Sequence, residues 1–324
     1  MLFPALLLLL QVPDLALADR LYQAGRFAEA AAQYTALLAA KPADAMLLVR
    51  LGACRYQLTE FREAEKRFRA ALAAVPDLPP ALVGWGTSLL ALGRGAEAIP
   101  PLEKAVKANP GDRMAQRALG HAYQDQQRFV EGELLLRKLV TEDPKDAEAW
   151  YYLGLLLFDR NYAAAALDAL ERALALQPGY TRASIYRAAA LAMLGRLAEA
   201  AAAFAILERD PALARDAELL LGHAQLLSQT GRVEEALALV DRGLAAAPQS
   251  VKLQFWRARL LFLKGELGAA AQEAQRAVTL DPELPNARHL LLQIYRRQGK
   301  EKEAAEMAAW LRNHSAAKAK GAVR

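Results

Sequence analysis

The chain has 324 residues and a formal net charge of +5, and alanine supplies much of its 54% hydrophobic content. Alanine combines the highest helix propensity with little bulk, and no sustained two-residue alternation of Val, Ile, Thr and Tyr argues for strands, so an all-α fold is expected. Acidic and basic residues are interspersed, as in FREAEKRFR at 61–69, which favours a solvated surface and no nucleic-acid partner.

Residues 1–18, MLFPALLLLLQVPDLALA, form an apolar N-terminal segment. Its apolar run of about ten residues is too short to cross a bilayer, for which roughly 20 are needed, but it matches the length of a secretory signal sequence. Ala16-Leu17-Ala18 has the small-x-small pattern of a cleavage site, although no Lys or Arg precedes the run. The segment is therefore a signal peptide, which favours a periplasmic or secreted protein, or part of a first helix at 11–24, which leaves a cytoplasmic protein possible. Membrane association is expected only through this segment, if it is not cleaved.

A motif ending in proline recurs along the chain, first as GRFAEAAAQYTALLAAKP at 25–42. The first five prolines are 34 residues apart, and the next three follow at spacings of 33, 37 and 34. A ninth copy has no closing proline. The repeat array at 19–312 therefore has units that end near residues 42, 76, 110, 144, 178, 211, 248, 282 and 312. A fixed period in the thirties is typical of stacked helix–turn–helix repeats.

Each copy carries small residues at fixed places when the recurrent proline is numbered position 32. Position 8 is Gly or Ala, position 15 is often Gly, and position 20 is Ala in eight copies. Small residues at 8 and 20 allow two helices, A and B, to approach closely. Glycine at 15 permits the positive φ of a tight turn after helix A, and proline at 32 ends helix B. Each helix is marginal alone, so every repeat needs its neighbours.

Three departures from this pattern carry expectations. Gly132 replaces alanine at position 20 of the fourth repeat, which predicts a looser helix. Pro100-Pro101 falls within helix B of the third repeat and predicts a kink or a late start. In repeats six to eight, position 7 is charged or polar instead of apolar, which leaves the helix-A register open by one residue. Those residues are Arg187, His223 and Arg257.

Catalytic and metal-binding patterns are absent from the sequence. It contains no GxxxxGK[ST], HExxH, GxSxG or GxGxxG motif, its four histidines lack metal-ligand spacing, and its one cysteine, Cys54, falls in a predicted helix as a small buried residue. Recurrent glutamates at position 19 are explained by the dipole of helix B. Residues 313–324 are interpreted as a basic flexible tail, which leaves no room for a catalytic domain. No cofactor, no metal site and no enzymatic activity are expected.

Together these residues resemble the tetratricopeptide repeat, in about nine tandem copies of bacterial type. The resemblance implies an α-solenoid, a right-handed superhelix of tandem antiparallel helix pairs whose A helices line a concave groove. It also implies a non-catalytic scaffold that binds a segment of a partner protein there, and the apolar leader favours an extracytoplasmic assembly or secretion context. The alternatives are a cytosolic adaptor or regulator with an uncleaved N-terminal helix, and a self-associating structural array or homo-oligomer.

In this family, positions 2, 5, 9, 12 and 13 of helix A point into the groove. The residues that these positions select here are mostly aromatic with a few polar anchors, which favours an apolar or amphipathic partner segment. The candidates are Tyr56, His121, Gln124, Tyr151, Leu155, Phe158, Asp159, Phe255, Arg259, Phe262 and Arg296. The aromatic residues of the fifth and eighth repeats fit packing between repeats equally well.

Overall fold

The computed structural model describes residues 13–321, with the backbone alone for 316–321, and over this range the chain is helical throughout apart from turns. It divides into an N-terminal unit, up to Tyr162, and a C-terminal unit, from Ala163. The described helices of the N-terminal unit are α1 (Leu15–Gln23), α2 (Phe27–Ala40), α3 (Ala45–Gln57), α4 (Phe61–Ala74), α5 (Pro79–Ala91), α6 (Gly95–Ala108), α7 (Arg113–Asp125), α8 (Phe129–Glu142) and α9 (Ala147–Asp159). Those of the C-terminal unit are α10 (Ala163–Leu176), α11 (Thr181–Met193), α12 (Leu197–Leu207), α13 (Ala217–Gln229), α14 (Val233–Ala246), α15 (Val251–Lys264), α16 (Leu267–Leu280), α17 (Pro285–Arg297) and α18 (Glu301–Gly321), with a 3₁₀ turn at Pro211–Leu213.

Odd-numbered helices are the A helices and even-numbered helices the B helices of the repeats. Within each unit, every helix packs against the next helix along the chain. Aspartates cap the starts of several A helices: the Asp44 and Asp216 carboxylates each accept two backbone N–H bonds at the starts of α3 and α13. Pro79 and Pro285 occupy the first position of α5 and α17, where the missing N–H costs nothing.

The turn between helices A and B is set by a left-handed residue at position 15. Six of these residues are glycines, with φ between 70° and 87°. Thr59, Gln127 and Asn161 adopt the same conformation, with φ of 61°, 58° and 64°. The predicted role of glycine at this position is confirmed, but the turn forms without glycine too.

Small residues at positions 8 and 20 bring the two helices of a repeat together. Every alanine predicted at position 20 is buried, and Leu102 and Leu136, at position 24 of the third and fourth repeats, are fully buried. A Cβ added to Gly86 would lie only 2.4 Å from Cγ of Leu102, and one added to Gly120 would lie 2.7 Å from Cδ2 of Leu136. The glycines are thus needed because a large side chain of helix B fills the space that their own side chains would occupy.

The three departures have local explanations. A Cβ on Gly132 would lie 2.7 Å from Cδ1 of Leu156, so this glycine makes room for Leu156. Helix α8 has the full 14 residues, and its loosening stays a prediction. Helix α6 begins at Gly95, the same place in the repeat as other B helices, so the late start predicted from Pro100-Pro101 is wrong. These prolines lie inside α6, where they deprive the carbonyls of Ala96 and Glu97 of the usual helical N–H donor.

Helix A keeps its register in repeats six to eight. Helices α11, α13 and α15 all begin at position 1 of their repeats, so the open one-residue shift is excluded. The polar residues at position 7 instead bind carboxylates of the preceding helix B. Nε of Arg187 lies 3.1 Å from Oε1 of Glu171, and Nε of Arg257 lies 2.7 Å from Oδ1 of Asp241. His223 forms the corresponding bond to Glu208, at 2.8 Å.

The ends of the array differ from the predicted boundaries. Helix α1 spans Leu15–Gln23, with Ala18 fully buried and the Tyr34 hydroxyl donating to Asp19 at 2.6 Å, so these residues form a short first helix A. Removal of residues 1–18 stays a prediction, and 1–12 lie outside the described residues. The boundary at 313 is not observed, because α18 continues to Gly321 and His314 stacks on Trp310 with 4.5 Å between ring centroids.

Cys54 is buried and unpaired, as its position in helix α3 predicts. Burial raises the pKa of its thiol to about 11. The thiol therefore stays protonated at neutral pH and contributes apolar packing to the helix pair.

A glycine exchange at position 15 tests the cost of the left-handed turn. Replacing Thr59→Gly is expected to raise the free energy of unfolding by about 1 kcal/mol, because a β-branched residue is strained at positive φ. The reciprocal Gly93→Thr is expected to lower it by about 1–2 kcal/mol, although no atom lies within 4 Å of the added Cβ. Urea unfolding followed by circular dichroism measures both, and equal stability of the three proteins would contradict the interpretation.

Candidate functional site

The A helices form the inner face of each unit. Successive A helices pack on one another, as α3, α5, α7 and α9 do in the N-terminal unit and α11, α13, α15 and α17 do in the C-terminal unit. Among the described helices, no two successive B helices pack to this extent. Helices on the inside of a curved stack lie closer together than those outside. The A-helix row, defined as these A helices, is therefore the inner, concave side of each unit.

An aromatic pair joins the A helices of the fourth and fifth repeats. The His121 ring on α7 stacks on the Tyr152 ring on α9, with 5.0 Å between centroids and 26° between planes. Both side chains are half-buried. Stacked rings that keep one exposed edge offer a partner both apolar contact and a polar atom.

Polar contacts join the same two helices on either side of this pair. The Gln124 amide donates to the Asp159 carboxylate near the ends of α7 and α9. Near their starts, Nη1 of Arg117 lies 2.8 Å from Asp146 and its Nε lies 3.0 Å from Glu148. Asp146 also accepts the Ala149 N–H at 2.9 Å as the cap of α9. The sequence-predicted residues His121, Gln124 and Asp159 are thus brought together on one surface.

Tyr56, the candidate of the second repeat, lies on α3 of the A-helix row. The pKa of Tyr152 on α9 is raised to about 12, first by burial, then by the charges of Glu148 and Tyr56. Tyr56 itself is half-buried, and its ring packs edge-on against Phe61 at 5.3 Å.

The C-terminal unit carries a second group of candidates, in which arginines cover aromatic rings. The guanidinium of Arg259 lies 4.8 Å from the centre of the Trp256 ring, and that of Arg297 lies 4.3 Å from the centre of the Phe262 ring. Phe255 packs edge-on against Trp256 at 6.4 Å. Arg296 is exposed beside this group on α17. The predicted candidates here lie on the neighbouring A helices α15 and α17.

Two candidates belong to the core instead of the surface. Tyr151 and Leu155 on α9 are only 8% and 7% exposed, so they offer almost no surface to a partner. Phe158 is half-buried and Asp159 is exposed on the same helix. For Tyr151 the burial agrees with the alternative of packing between repeats, an alternative that did not extend to Leu155.

Sequence reasoning missed the aromatic residues at position 6. Tyr152, Tyr186 and Trp256 all occupy this position, and Tyr152 and Trp256 contact predicted groove residues. Position 6 was not among the five family positions that select groove residues. A large aromatic residue where other repeats have Gly, Ala, Arg or Leu was the available signal.

Over the described part of the chain, no three His, Cys, Asp or Glu side chains lie close enough together to hold a metal ion. Within the same residues, no helix combines the length and the apolar character that a membrane crossing needs.

Comparison with known proteins identifies the repeats. The sequence description of the tetratricopeptide repeat matches residues 15–79, 55–113, 83–147, 117–181, 159–214 and 221–285. The chain belongs to the tetratricopeptide repeat family. Proteins of this family generally mediate protein–protein interactions and are generally non-catalytic. The predicted all-α solenoid of about nine repeats is confirmed.

Solved structures show the same fold. A tetratricopeptide repeat protein from Parabacteroides merdae is 20% identical with a TM-score of 0.62, over 77% of this chain and 98% of that chain. A thermophilic protein of the family from Thermus thermophilus is 25% identical with a TM-score of 0.52, over 57% of this chain and 99% of that one.

One curated protein similar to this tetratricopeptide repeat chain is cellulose synthase operon protein C of Pseudomonas fluorescens (strain SBW25). The two are 32% identical over 231 residues, which is 64% of this chain. The match spans only 17% of the length of that relative.

Replacing Tyr152→Phe is expected to reduce the decrease in the free energy of unfolding that occurs at alkaline pH. The unfolded phenol has a pKa of about 10, whereas the pKa in the fold is about 12, so the folded state holds the proton more tightly. The stability that Tyr152 contributes is fully present below pH 10 and is lost as the pH rises towards 12. The free energy of unfolding, measured from pH 9 to 11.5, should fall less steeply in the variant.

The exposed Tyr162 provides the matched control, since it is 51% exposed and lies outside the stacked pair. Tyr162→Phe should keep the pH slope of the unmodified protein. Identical slopes in all three proteins would show that burial of Tyr152 has no effect on its titration.

Proposed function

We propose that this protein is a non-catalytic scaffold that binds a segment of a partner protein along its A-helix row. The observation that carries the proposal is the line of half-exposed aromatic rings and polar side chains that links α7 to α9. The proposed contacts in the N-terminal unit are Tyr56, His121, Gln124, Phe158 and Asp159, with Tyr152 added. In the C-terminal unit they are Phe255, Arg259, Phe262 and Arg296, with Trp256 and Arg297 added.

The chemistry of these contacts favours an amphipathic partner segment. Half-buried rings such as Tyr152 and Phe158 supply apolar contact, and the amide of Gln124 and the carboxylate of Asp159 supply hydrogen bonds. Aromatic and arginine side chains are the residue types that dominate binding energy in protein interfaces. Both residue types occur among the proposed contacts on the A helices. A polypeptide is therefore the proposed ligand, and nucleic acid is not.

An extracytoplasmic assembly or secretion context is proposed for this binding. Two observations support it: the apolar leader with Ala16-Leu17-Ala18, and the similarity to a protein named for a cellulose synthase operon. Because the similarity spans a small part of that relative, it supports the setting and does not identify the partner.

A cytosolic adaptor is the second candidate, and helix α1 favours it. Cleavage after Ala18 would remove Leu15–Ala18 from α1, and Ala18 is fully buried. It would also remove the N-cap Asp14, whose carboxylate accepts the Ala16 N–H at 2.9 Å. Ala18 and Leu21 share a hydrophobic cluster with Ala30 and Tyr34. Loss of this half of the helix would uncover the apolar side of α2.

A photo-crosslinking experiment tests the binding face. Phe158→benzoylphenylalanine in the intact chain, irradiated in cells, is expected to yield a discrete covalent adduct with a partner protein, because the new side chain keeps an aromatic ring on the A-helix row. The control is Leu134→benzoylphenylalanine on the B helix α8, where the side chain is 74% exposed. An adduct at position 134 and none at 158 would refute binding by the A-helix row.

Mass spectrometry of the native N-terminus separates the two locations. An exported protein is expected to begin at Asp19, and the cytosolic adaptor is expected to retain Leu15–Ala18. The control is Ala16→Glu, which destroys the small-x-small pattern at an exposed position and should abolish cleavage where it occurs. Retention of Ala18 in both the unmodified protein and the Ala16→Glu variant would contradict export by this signal.

A further inference from the structure

The outer face of the second and third repeats combines a basic surface with an apolar cleft. Helices α4 and α6 are the B helices on either side of α5, and both lie in the N-terminal unit. The basic ridge, defined as Arg62, Lys66 and Arg69, runs along α4 at spacings of four and three residues. All three side chains are exposed.

Acidic and basic residues are interspersed along the sequence of α4, but they are separated in space. Glu65 is only 9% exposed and accepts a bond from Arg94 at 2.7 Å, and Glu63 lies 3.7 Å from Arg67. Among the described residues, Arg62 and Lys66 form no ion pair. The acids of α4 are therefore engaged next to or beneath the ridge, while two of its cations are available to a ligand.

The ridge borders an apolar cleft of about 520 Å³ between α4, α5 and α6. Its apolar wall consists of Leu72, Pro76, Leu82, Trp85, Pro100 and Pro101. Arg69 connects ridge and cleft, because its guanidinium lies 5.9 Å from the centre of the Trp85 ring.

The acids at the rim of this cleft are already neutralised. Asp77 pairs with Lys104 at 3.1 Å, and Glu97 pairs with Arg94 at 2.6 Å. The Arg94 guanidinium holds the pKa of Glu97 below its usual range, so this carboxylate stays ionised and paired. Arg94 also binds Glu65, but Arg69 lies 3.9 Å from Glu65 as well, so the acids of ridge and rim are matched by cations other than Arg62 and Lys66.

We propose that this outer face binds an acidic segment of a partner polypeptide that carries a Leu or Phe side chain. The ridge holds carboxylates, and the cleft holds the apolar side chain. Seven helical residues span about 10 Å, the length of roughly three residues of an extended peptide. Two acidic residues on one side of such a peptide match the ridge, and the next apolar residue reaches the cleft. The ridge lies on the B helix α4, and α5 contributes only Leu82 and Trp85 to the cleft. The site uses none of the contacts proposed for the A-helix row, so it goes beyond the proposed function.

A polypeptide fits this face better than a nucleic acid. Sequence-tolerant binding of single strands uses a basic groove in which bases stack on several aromatic rings. Here one indole, Trp85, stands among aliphatic and proline residues, and the basic ridge is short. These walls suit a branched or aromatic side chain inserted from a peptide.

The binding of labelled peptides to the full chain tests the proposal. The probe is a fluorescein-labelled 12-residue peptide with four Asp or Glu residues around a Leu-Phe pair. Its binding is measured by fluorescence anisotropy. Arg62→Gln/Lys66→Gln is expected to weaken its binding about tenfold, because two unpaired charges are lost. Raising the salt concentration should weaken binding to the unmodified protein as well.

The matched control is Lys252→Gln/Lys302→Gln, which removes the same charge from exposed lysines of the C-terminal unit. It should bind the peptide within twofold of the unmodified protein, and replacing Leu-Phe by Ser-Ser in the peptide should weaken binding to both. Equal binding by the two double variants would overturn the proposal without affecting the A-helix row. Tighter, ridge-dependent binding of a 12-nucleotide oligothymidylate would overturn it in favour of nucleic acid.

Discussion

The close approach of the two helices in each repeat is the constraint on which the structure depends. A large side chain of helix B, such as Leu102, occupies the volume that a Cβ on Gly86 would need. Alanine at position 20 completes the contact, and Ala98 is fully buried in it. Since one helix pair buries only this seam, its remaining apolar surface must be covered by the neighbouring repeats. The A-helix row, with its aromatic and polar side chains, results from that stacking.

Much of the fold could be predicted from sequence because each repeat encodes its own boundaries. A left-handed residue at position 15, an N-cap before position 1 and a proline at position 32 are local signals, and they locate the helices without knowledge of tertiary contacts. The late start expected from Pro100-Pro101 does not occur, because α6 retains the contacts of its other residues with α5 and α7, and these outweigh two missing helical bonds. The alternative of a kink stays a prediction.

The candidate site was less predictable, since it depends on contacts between repeats. His121, Gln124 and Asp159 could be chosen from family positions, but which of them meet depends on how α7 packs on α9. Tyr151 and Leu155 show the opposite case, because they occupy expected groove positions but their side chains are buried in the core. The basic ridge could not be predicted from FREAEKRFR either, because the burial of Glu65 and its bond from Arg94 of the next repeat are tertiary contacts.

The three non-glycine turns are distributed unevenly along the chain. Thr59, Gln127 and Asn161 all fall before residue 163, whereas the corresponding turns of the later repeats are Gly195, Gly231, Gly265 and Gly299. Holding a side chain in the left-handed region reduces the free energy needed to open that turn. Brief local opening, and cleavage by a protease that captures the opened loop, should therefore begin at hairpins of the earlier repeats while the later ones stay intact.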